Sequence, residues 1–303
     1  MTPPSAACPL CASPQIASHH EEAGCRYHRC GLCGFVFLLP IPTAAELERL
    51  YQEEAGATFH HGAEIAGAFE KRLEARLRLR VVADALRSAP ERTALEVGCG
   101  AGYLLDRLRG MGWTVAGTEL SDAYLRFATE RLGLPVARRR PPGPFGAVLL
   151  FNVLSHVPDP AAEFDQCRRD LRPGGILVLE TGNAAEVAPA RVGHFGAPEH
   201  VWHFSESTLR TLLEKCGFDQ IRVVRRNAEW QRRAIALLGR ARRRPPGTAA
   251  AAGSGGAAPA PAGESRLKKA VVATLLSLRF GAGLWGADRR HFCTLFVTAR
   301  RRS

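Results

Sequence analysis

The sequence predicts an α/β protein: a doubly wound, mostly parallel sheet with a small cysteine-bearing module ahead of it. Three observations carry this. Strand-like and helix-like segments alternate from Thr93 to Arg226, the pattern of βαβ units. Within that stretch Thr93-Ala-Leu-Glu-Val runs into Gly98-Cys-Gly-Ala-Gly102 and then a helical segment from Tyr103. Bare backbone is thereby brought to a strand end, where no Cβ blocks the approach of a ligand. Near the N-terminus, Cys8-Pro-Leu-Cys11 and Cys30-Gly-Leu-Cys33 form two C-x-x-C knuckles. A chain of 303 residues, 46% hydrophobic and 23% charged, suffices for one such core plus a small appended unit.

The knuckles come first. Eighteen residues separate Cys11 from Cys30, and four thiolates paired in this way suit one tetrahedral zinc ion, leaving no open position for a catalytic water. Gly31 and Gly34 ease the tight turns around the thiolates. Two disulfides are the alternative, and Cys25 and His28 are competing ligands. Nothing at the N-terminus reads as a signal peptide, so a reducing cytoplasm, and hence metal, is expected. Of the nine cysteines, Cys99, Cys167, Cys216 and Cys293 read as buried thiols. The zinc ribbon takes residues 1–40, ending near Leu39-Pro-Ile-Pro-Thr43, and a helical lid or linker takes 41–90. Thr43-Ala-Ala-Glu46 has capping-box spacing and opens a helix to about Glu53. A charged helix from about Ala63 to Ser88 places Leu73, Leu77, Val81 and Leu86 roughly along one face.

The core follows. The glycine spacing is G-x-G-x-G, with Tyr103 standing where a dinucleotide fingerprint would have its third glycine. Trp113 to Leu120 reads as a strand ending in Glu119, about 20 residues beyond the loop, where nucleotide-binding folds place an acid on ribose hydroxyls. Ser121 caps a helix through Leu132, and Gly133 ends it. Phe145 to Asn152 is an apolar run suited to a strand buried on both faces. At its C-terminal end, where open parallel sheets bind ligands, comes Asn152-Val-Leu-Ser-His156-Val-Pro-Asp-Pro160. A helix from Ala161 to Leu171, the turn Arg172-Pro-Gly-Gly175 and a strand Ile176–Glu180 continue the alternation. Ser205 starts a helix that Gly217 ends, Phe218 to Arg225 makes the next strand, and Phe292 to Ala299 the last.

Between those two strands, Pro245 to Gly263 is Ala/Gly/Pro-rich and too poor in bulky side chains to build a core, so it is expected to be disordered. Arg240 to Arg244 and Arg266, Lys268 and Lys269 flank it and hold much of the net charge of +12. Such a cluster is either a solvated face or a contact for anionic lipid headgroups or RNA. Val271 to Leu278 is apolar, but Lys268, Lys269 and Arg279 bracket it too closely for a membrane span.

Glu96-Val-Gly98-Cys-Gly100-Ala-Gly102, Glu119 in register behind it, His156-Val-Pro-Asp-Pro160 and Leu171-Arg-Pro-Gly-Gly175 together resemble class I S-adenosylmethionine-dependent methyltransferases. The resemblance covers roughly Cys8 to Arg226 and the last strand. It implies a seven-stranded Rossmann-like methyltransferase fold over residues 91–303, interrupted by the low-complexity basic insertion at about 240–290, with the last strand antiparallel at the sheet's edge. It also implies S-adenosylmethionine contacts from Glu96, Gly98, Cys99, Gly100, Gly102, Glu119, Leu120 and Asn152. Where the family usually has acids near the adenine, this chain has Ala137-Arg-Arg-Arg140 and Phe145-Gly146, so adenine recognition is left to backbone groups. Tyr51, Phe59 and His60 lie where the family folds a lid over the cofactor, or else simply pack.

Methyl transfer from a sulfonium is a displacement in which the protein chiefly aligns the nucleophile, and a base is needed when the acceptor holds a proton of high pKa. His156 is the first candidate and His200, in the Pro-x-His segment that similar methyltransferases carry, the second. His203 ranks behind them, and hydrogen bonding of each to backbone is the alternative role. The expected function is methyl transfer to a small or lipid-linked metabolite: a sugar, a quinone-like compound or a secondary metabolite. An rRNA methyltransferase is the alternative, because some of these also join a four-cysteine ribbon to this core. Against it, neither Asn-Pro-Pro-Tyr nor Asp-Pro-Pro-Tyr follows the fourth strand, where Asn152-Val-Leu-Ser155 stands instead. A non-catalytic cofactor-binding subunit is the third reading. Oligomeric state is not legible.

Overall fold

The computed structural model describes residues 7–58, 68–192, 194–227, 274 and 292–302. The N-terminal ribbon is a meander of β1 (Ile16–Glu22), β2 (Cys25–Cys30) and β3 (Val36–Leu39), antiparallel throughout. Ala23 and Gly24, both at positive φ (51° and 75°), make its first hairpin turn, the double left-handed geometry that matches strand twist. Helix α1 (Ala44–Thr58) starts on the expected capping box: Glu46 N donates to Thr43 Oγ1 at 3.3 Å and the Glu46 carboxylate accepts from Thr43 N at 2.8 Å. It runs five residues past the expected end at Glu53. Helix α2 (Ala68–Arg87) turns Ala75, Leu79, Val82 and Leu86 inward, with Leu77 also buried.

The core alternates as predicted: β4 (Thr93–Val97), α3 (Tyr103–Arg109), β5 (Thr114–Thr118), α4 (Asp122–Arg126, continued as a wider turn to Arg131), β6 (Val136–Ala137), β7 (Phe145–Phe151), α5 (Pro160–Asp170) and β8 (Leu171–Gly182). The Arg172-Pro-Gly-Gly turn is absorbed into the start of β8, where the register against β7 shifts before Ala147 pairs with Ile176. After α6 (Pro189–Val192) come β9 (Trp202–His203), α7 (Glu206–Lys215), β10 (Phe218–Asn227) and β11 (Cys293–Arg301). The main sheet has seven strands in the order β10-β11-β8-β7-β4-β5-β6. Its pairings are parallel from β8 to β6, and β11 runs antiparallel to both β8 and β10. The last strand is therefore antiparallel as expected but not at the edge: β10 is the edge strand, and β11 inserts between it and β8.

Apolar alternation along the strands divides the core into one cluster on each face. Ala94, Ala147, Leu149, Ile176 and Val178 pack with α2 and α3, while Leu95, Val148, Leu150, Leu177 and Leu179 pack toward the other side. That second cluster is continuous with the ribbon. Strand β3 pairs with the short β9, Val36 opposite His203 and Phe37 opposite Trp202, so the ribbon becomes a four-stranded sheet β1-β2-β3-β9. Phe35 stacks on Trp202 with centroids 5.9 Å apart. Arg29 donates to Ala185 O at 2.6 Å, and Lys215 Nζ to Leu10 O at 2.8 Å. The ribbon thus shares its core with one face of the sheet. The low-complexity basic insertion, Phe59 and His60 lie outside the described residues, and no helix among the described residues is long and apolar enough to cross a membrane.

Candidate functional site

The C-terminal ends of β4, β5 and β7 open on a cavity of about 1060 Å³, at the position parallel sheets reserve for ligands. Its floor is the glycine loop, whose three glycines have different work. A Cβ on Gly98 (φ 64°) would sit 2.7 Å from Val153 Cγ2, and one on Gly102 (φ 78°) 2.5 Å from Leu134 Cδ1; both serve packing. A Cβ on Gly100 (φ 55°) would meet nothing within 4 Å. Gly100 lines the cavity with bare backbone, together with Gly98, Glu119, Leu120 and Asn152. Leu120 is 42% exposed, an apolar surface at the cavity wall.

Two buried acids lie against this loop. Glu119 Oε2 accepts from Gly100 N at 2.7 Å and Oε1 from Ser121 N at 2.8 Å. Burial raises its pKa, and the two N–H groups oppose the rise. Each carboxylate oxygen keeps a lone pair for a further donor such as a hydroxyl. Glu96 lies behind the loop, outside the cavity lining. Its Oε2 is buried with no hydrogen-bond partner among the described residues, and burial, with Arg78 opposing and Glu119 adding, pushes its pKa up to about 8. A positive charge in the cavity would favour its ionised form through space. Of the expected contacts, Cys99 is turned away: a Cβ on Gly117 of β5 would lie 3.0 Å from Cys99 Sγ, so the thiol packs into the core. Gly102 likewise caps α3 rather than facing the cavity. The open backbone at Gly100 and the two-handed Glu119, both on the cavity lining, fit the ribose-bearing cofactor that the sequence implies.

The opposite wall comes from two segments. Asn152, in the left-handed region at φ 57°, ends β7 and leads to His156, and His200 arrives from the loop before β9. Their ring centroids are 4.3 Å apart, edge to face. Burial and the neighbouring His200 push His156 down to about 3; burial also lowers His200, but Glu199 and Glu22 oppose this. His203, three residues on in β9, is buried outside the cavity lining and held down to about 3 by burial. Helix α1 lines the cavity through Ala44, Leu47 and Glu48 and is tied to it by Gln52: its Nε2 donates to Leu120 O at 2.8 Å, and its Oε1 accepts from Asp122 N at 3.3 Å. Arg138 bridges Glu48 of the same helix to Asp122. Nothing in local pattern identifies Gln52 or Glu48, because their partners lie some 70 to 90 residues away.

In the ribbon, the Sγ atoms of Cys8, Cys11, Cys30 and Cys33 all lie within 4.8 Å of one another. The Cys8–Cys33 and Cys11–Cys30 separations are 3.6 Å each. A tetrahedron with metal–sulfur bonds of about 2.3 Å has edges of about 3.8 Å, whereas a disulfide bond is about 2 Å. The four atoms therefore fit a metal and not two bridges, and all nine cysteines are free thiols. Cys25 and His28, the competing ligands, are outside the cluster. The N–H groups of Cys33 and Leu32 lower the pKa of Cys30 against the effect of burial, whereas burial raises those of Cys8 and Cys33.

Residues 68–223 match the family model described as "Methyltransferase domain". Over 119 residues the chain is 34% identical to the ubiquinone biosynthesis O-methyltransferase of Thiobacillus denitrificans, covering 35% of this chain and 51% of that one. Over 149 residues it is 32% identical to the tRNA U34 carboxymethyltransferase of Psychromonas ingrahamii, covering 44% and 45%. The chain spans about half the length of the curated relatives it matches. A solved S-adenosylmethionine-dependent methyltransferase from Archaeoglobus fulgidus is similar at 16% identity with a TM-score of 0.47, covering 75% of this chain and 94% of that one.

Proposed function

As the chain belongs to the class I S-adenosylmethionine-dependent methyltransferase family, we propose that it methylates a hydroxyl of a small or lipid-linked metabolite. The observation that carries this is one cavity with two walls: open backbone at Gly100 on one side, and neutral His156 and His200 on the other. When bound, S-adenosylmethionine supplies a methyl carbon whose bond to sulfur breaks as the acceptor oxygen attacks. Glu119 holds the glycine loop and accepts from the ribose, and Glu96 balances the positive charge from behind. His200 takes the acceptor's proton. It is the better base of the pair because the charges of Glu199 and Glu22 support its protonated form, while His156, held near 3, orients it. One zinc ion in the four thiolates is a folding element, since all four positions are filled by protein.

The O-methyltransferase relatives support an oxygen acceptor of quinone-like or similar character. The tRNA-modifying relative keeps a second reading in view, methylation of RNA. Radiolabelled S-adenosylmethionine incubated with the protein separates them, using 3,4-dihydroxybenzoate, a nucleotide-linked hexose, a total lipid extract and total rRNA and tRNA as acceptors. Label should enter a small-molecule or lipid fraction. RNA affinity should show none of the steep log-linear fall with salt that phosphate contacts impose. Label confined to RNA would overturn the proposal in favour of the second reading, and cofactor binding without transfer to any fraction would point to a non-catalytic subunit.

A further inference from the structure

The wall that carries His200 is held by the ribbon rather than by the methyltransferase core alone. Glu22, the last residue of β1, accepts from three successive backbone N–H groups: Phe195 at 2.9 Å, Gly196 at 2.7 Å and Ala197 at 3.0 Å. His194 Nδ1 lies 3.1 Å from the same carboxylate. Tyr27 of β2, fully buried, donates its hydroxyl to His200 O at 2.7 Å. Between these anchors the chain folds tightly, with His200 N donating to Gly196 O at 2.8 Å. The His200 ring lies over Gly196 so closely that a Cβ there would sit 2.9 Å from its Cγ. Phe195 is clamped in turn, its ring 4.4 Å from that of His20 and 5.1 Å from that of Tyr27.

The same ribbon reaches His156 through β9. Leu38 N donates to Val201 O, while Val201 N donates to Ser155 O at 2.7 Å and Trp202 Nε1 to Val157 O at 2.6 Å. Backbone on both sides of His156 is therefore tied to the strand that the ribbon pairs with. A carboxylate that captures three consecutive amides is a strong, charge-assisted anchor, and its location on a different module from the cofactor loop gives it a specific consequence.

We infer that Glu22 and Tyr27 are positioning residues of the acceptor site, so that the ribbon sets the placement of His200 while the Gly98–Gly102 loop sets that of the cofactor. This rests on the reading of His200 as an acceptor-side group. Full-length Glu22→Ala, Glu22→Gln and Tyr27→Phe proteins test it by amide hydrogen exchange, by the side-chain nitrogen resonances of His200, and by calorimetric binding of S-adenosylhomocysteine. In Glu22→Ala the amides of Phe195, Gly196 and Ala197 should exchange at least tenfold faster and the His200 ring resonances should move. Those of β7, Phe145 to Phe151, should keep their protection, and S-adenosylhomocysteine should bind within twofold of wild type. Glu22→Gln, which retains one acceptor oxygen, should fall between. Should Glu22→Ala fail to fold, Glu22→Gln and Tyr27→Phe, which keep the side-chain bulk, carry the test. Unchanged exchange and unchanged His200 resonances would overturn the inference, as would equal loosening of β7 together with lost cofactor affinity, which marks general destabilisation. None of these measurements needs an acceptor, so absence of methyl transfer would count against the proposed function and not against this coupling.

Discussion

Replacing Glu96 with glutamine should stabilise the cofactor-free protein, and should do so increasingly as pH rises. The carboxyl is 4% exposed and its pKa moves from an ordinary 4.5 to about 8, by burial above all, with Arg78 opposing and Glu119 adding. An acid whose pKa is raised by folding binds its proton more tightly in the folded state. Its contribution is intact below about pH 4.5 and is lost as pH climbs through 8. At pH 7 the interval above 4.5 corresponds to about 3 kcal/mol, at roughly 1.4 kcal/mol per unit. Glutamine keeps the shape and removes the ionisation, so Tm should rise by roughly 6–12 °C at pH 7 in a domain of this size and change little near pH 4.5. Thermal melts of both proteins from pH 4.5 to 8 measure this. The same argument fixes a binding signature. With a pKa near 8, Glu96 is protonated in about nine molecules in ten at pH 7, and a cationic ligand above it favours the carboxylate. S-adenosylmethionine binding should then release close to one proton, read as different heats in phosphate and Tris, and Glu96→Gln should abolish the difference. A Tm gain that is flat across pH, with a binding heat independent of buffer, would refute the reasoning.

Gly100→Val should lose S-adenosylmethionine binding and still fold, at a backbone cost of about 1–2 kcal/mol for a left-handed position, because its side chain enters open cavity; normal affinity would remove the loop from the site. Gly102→Ala should instead lower stability by about 1–3 kcal/mol through its clash with Leu134, as denaturant melts would show. Glu119→Ala should weaken the cofactor and also loosen the loop, visible as faster exchange of the Gly100 amide, since that acid holds Gly100 N as well as facing the cavity. Cys30→Ser should abolish a zinc content near one equivalent by elemental analysis, and the loss should extend to the amides of Phe195 to Ala197 through the ribbon; full metal retention would sink the four-thiolate assignment. His200, lowered by burial, is neutral and active as a base above its pKa. The acid limb of kcat/KM for the acceptor identified by label transfer should therefore fall below pH 6.5, and His200→Asn should erase it.

The cofactor half of the site was legible in sequence because its determinants are local. Gly98, Gly100 and Gly102 adopt left-handed φ within five residues, and Glu119 is set by strand register, Val97 pairing with Thr118 across β4 and β5. What spacing could not supply is direction. The loop's two side chains, Cys99 and Ala101, both pack into the core, and Gly102 lies against Leu134 and Ala128, although the motif includes Cys99 and Gly102. The position of β11 was missed for a related reason: alternation marks Phe292 to Ala299 as a strand but carries no record of which strand lies beyond it, and β10 occupies the edge.

On the facing wall His156 and His200 were legible in sequence and stand together, but what holds them was not, because those determinants are distant and individually ordinary. Strand β9 is two residues long, less than the span over which alternation can be recognised, and it is a strand because β3 is there to pair with it. Glu22 at a hairpin end would pass for a solvated charge. Burial alone would raise its pKa, but the N–H groups of Phe195, Ala197 and Gly196, with His194, hold it down at about 2, and those amides lie 173 to 175 residues away. The asymmetry has a physical consequence for how such a protein can change. The glycine loop must meet an invariant cofactor with backbone, which leaves little freedom of sequence. The facing wall is held by side chains of the ribbon, Glu22 and Tyr27, so substitutions there should shift the two histidines with little effect on the loop. On the proposed roles, Glu22 and His200 are the pair along which acceptor choice should change while cofactor affinity is retained.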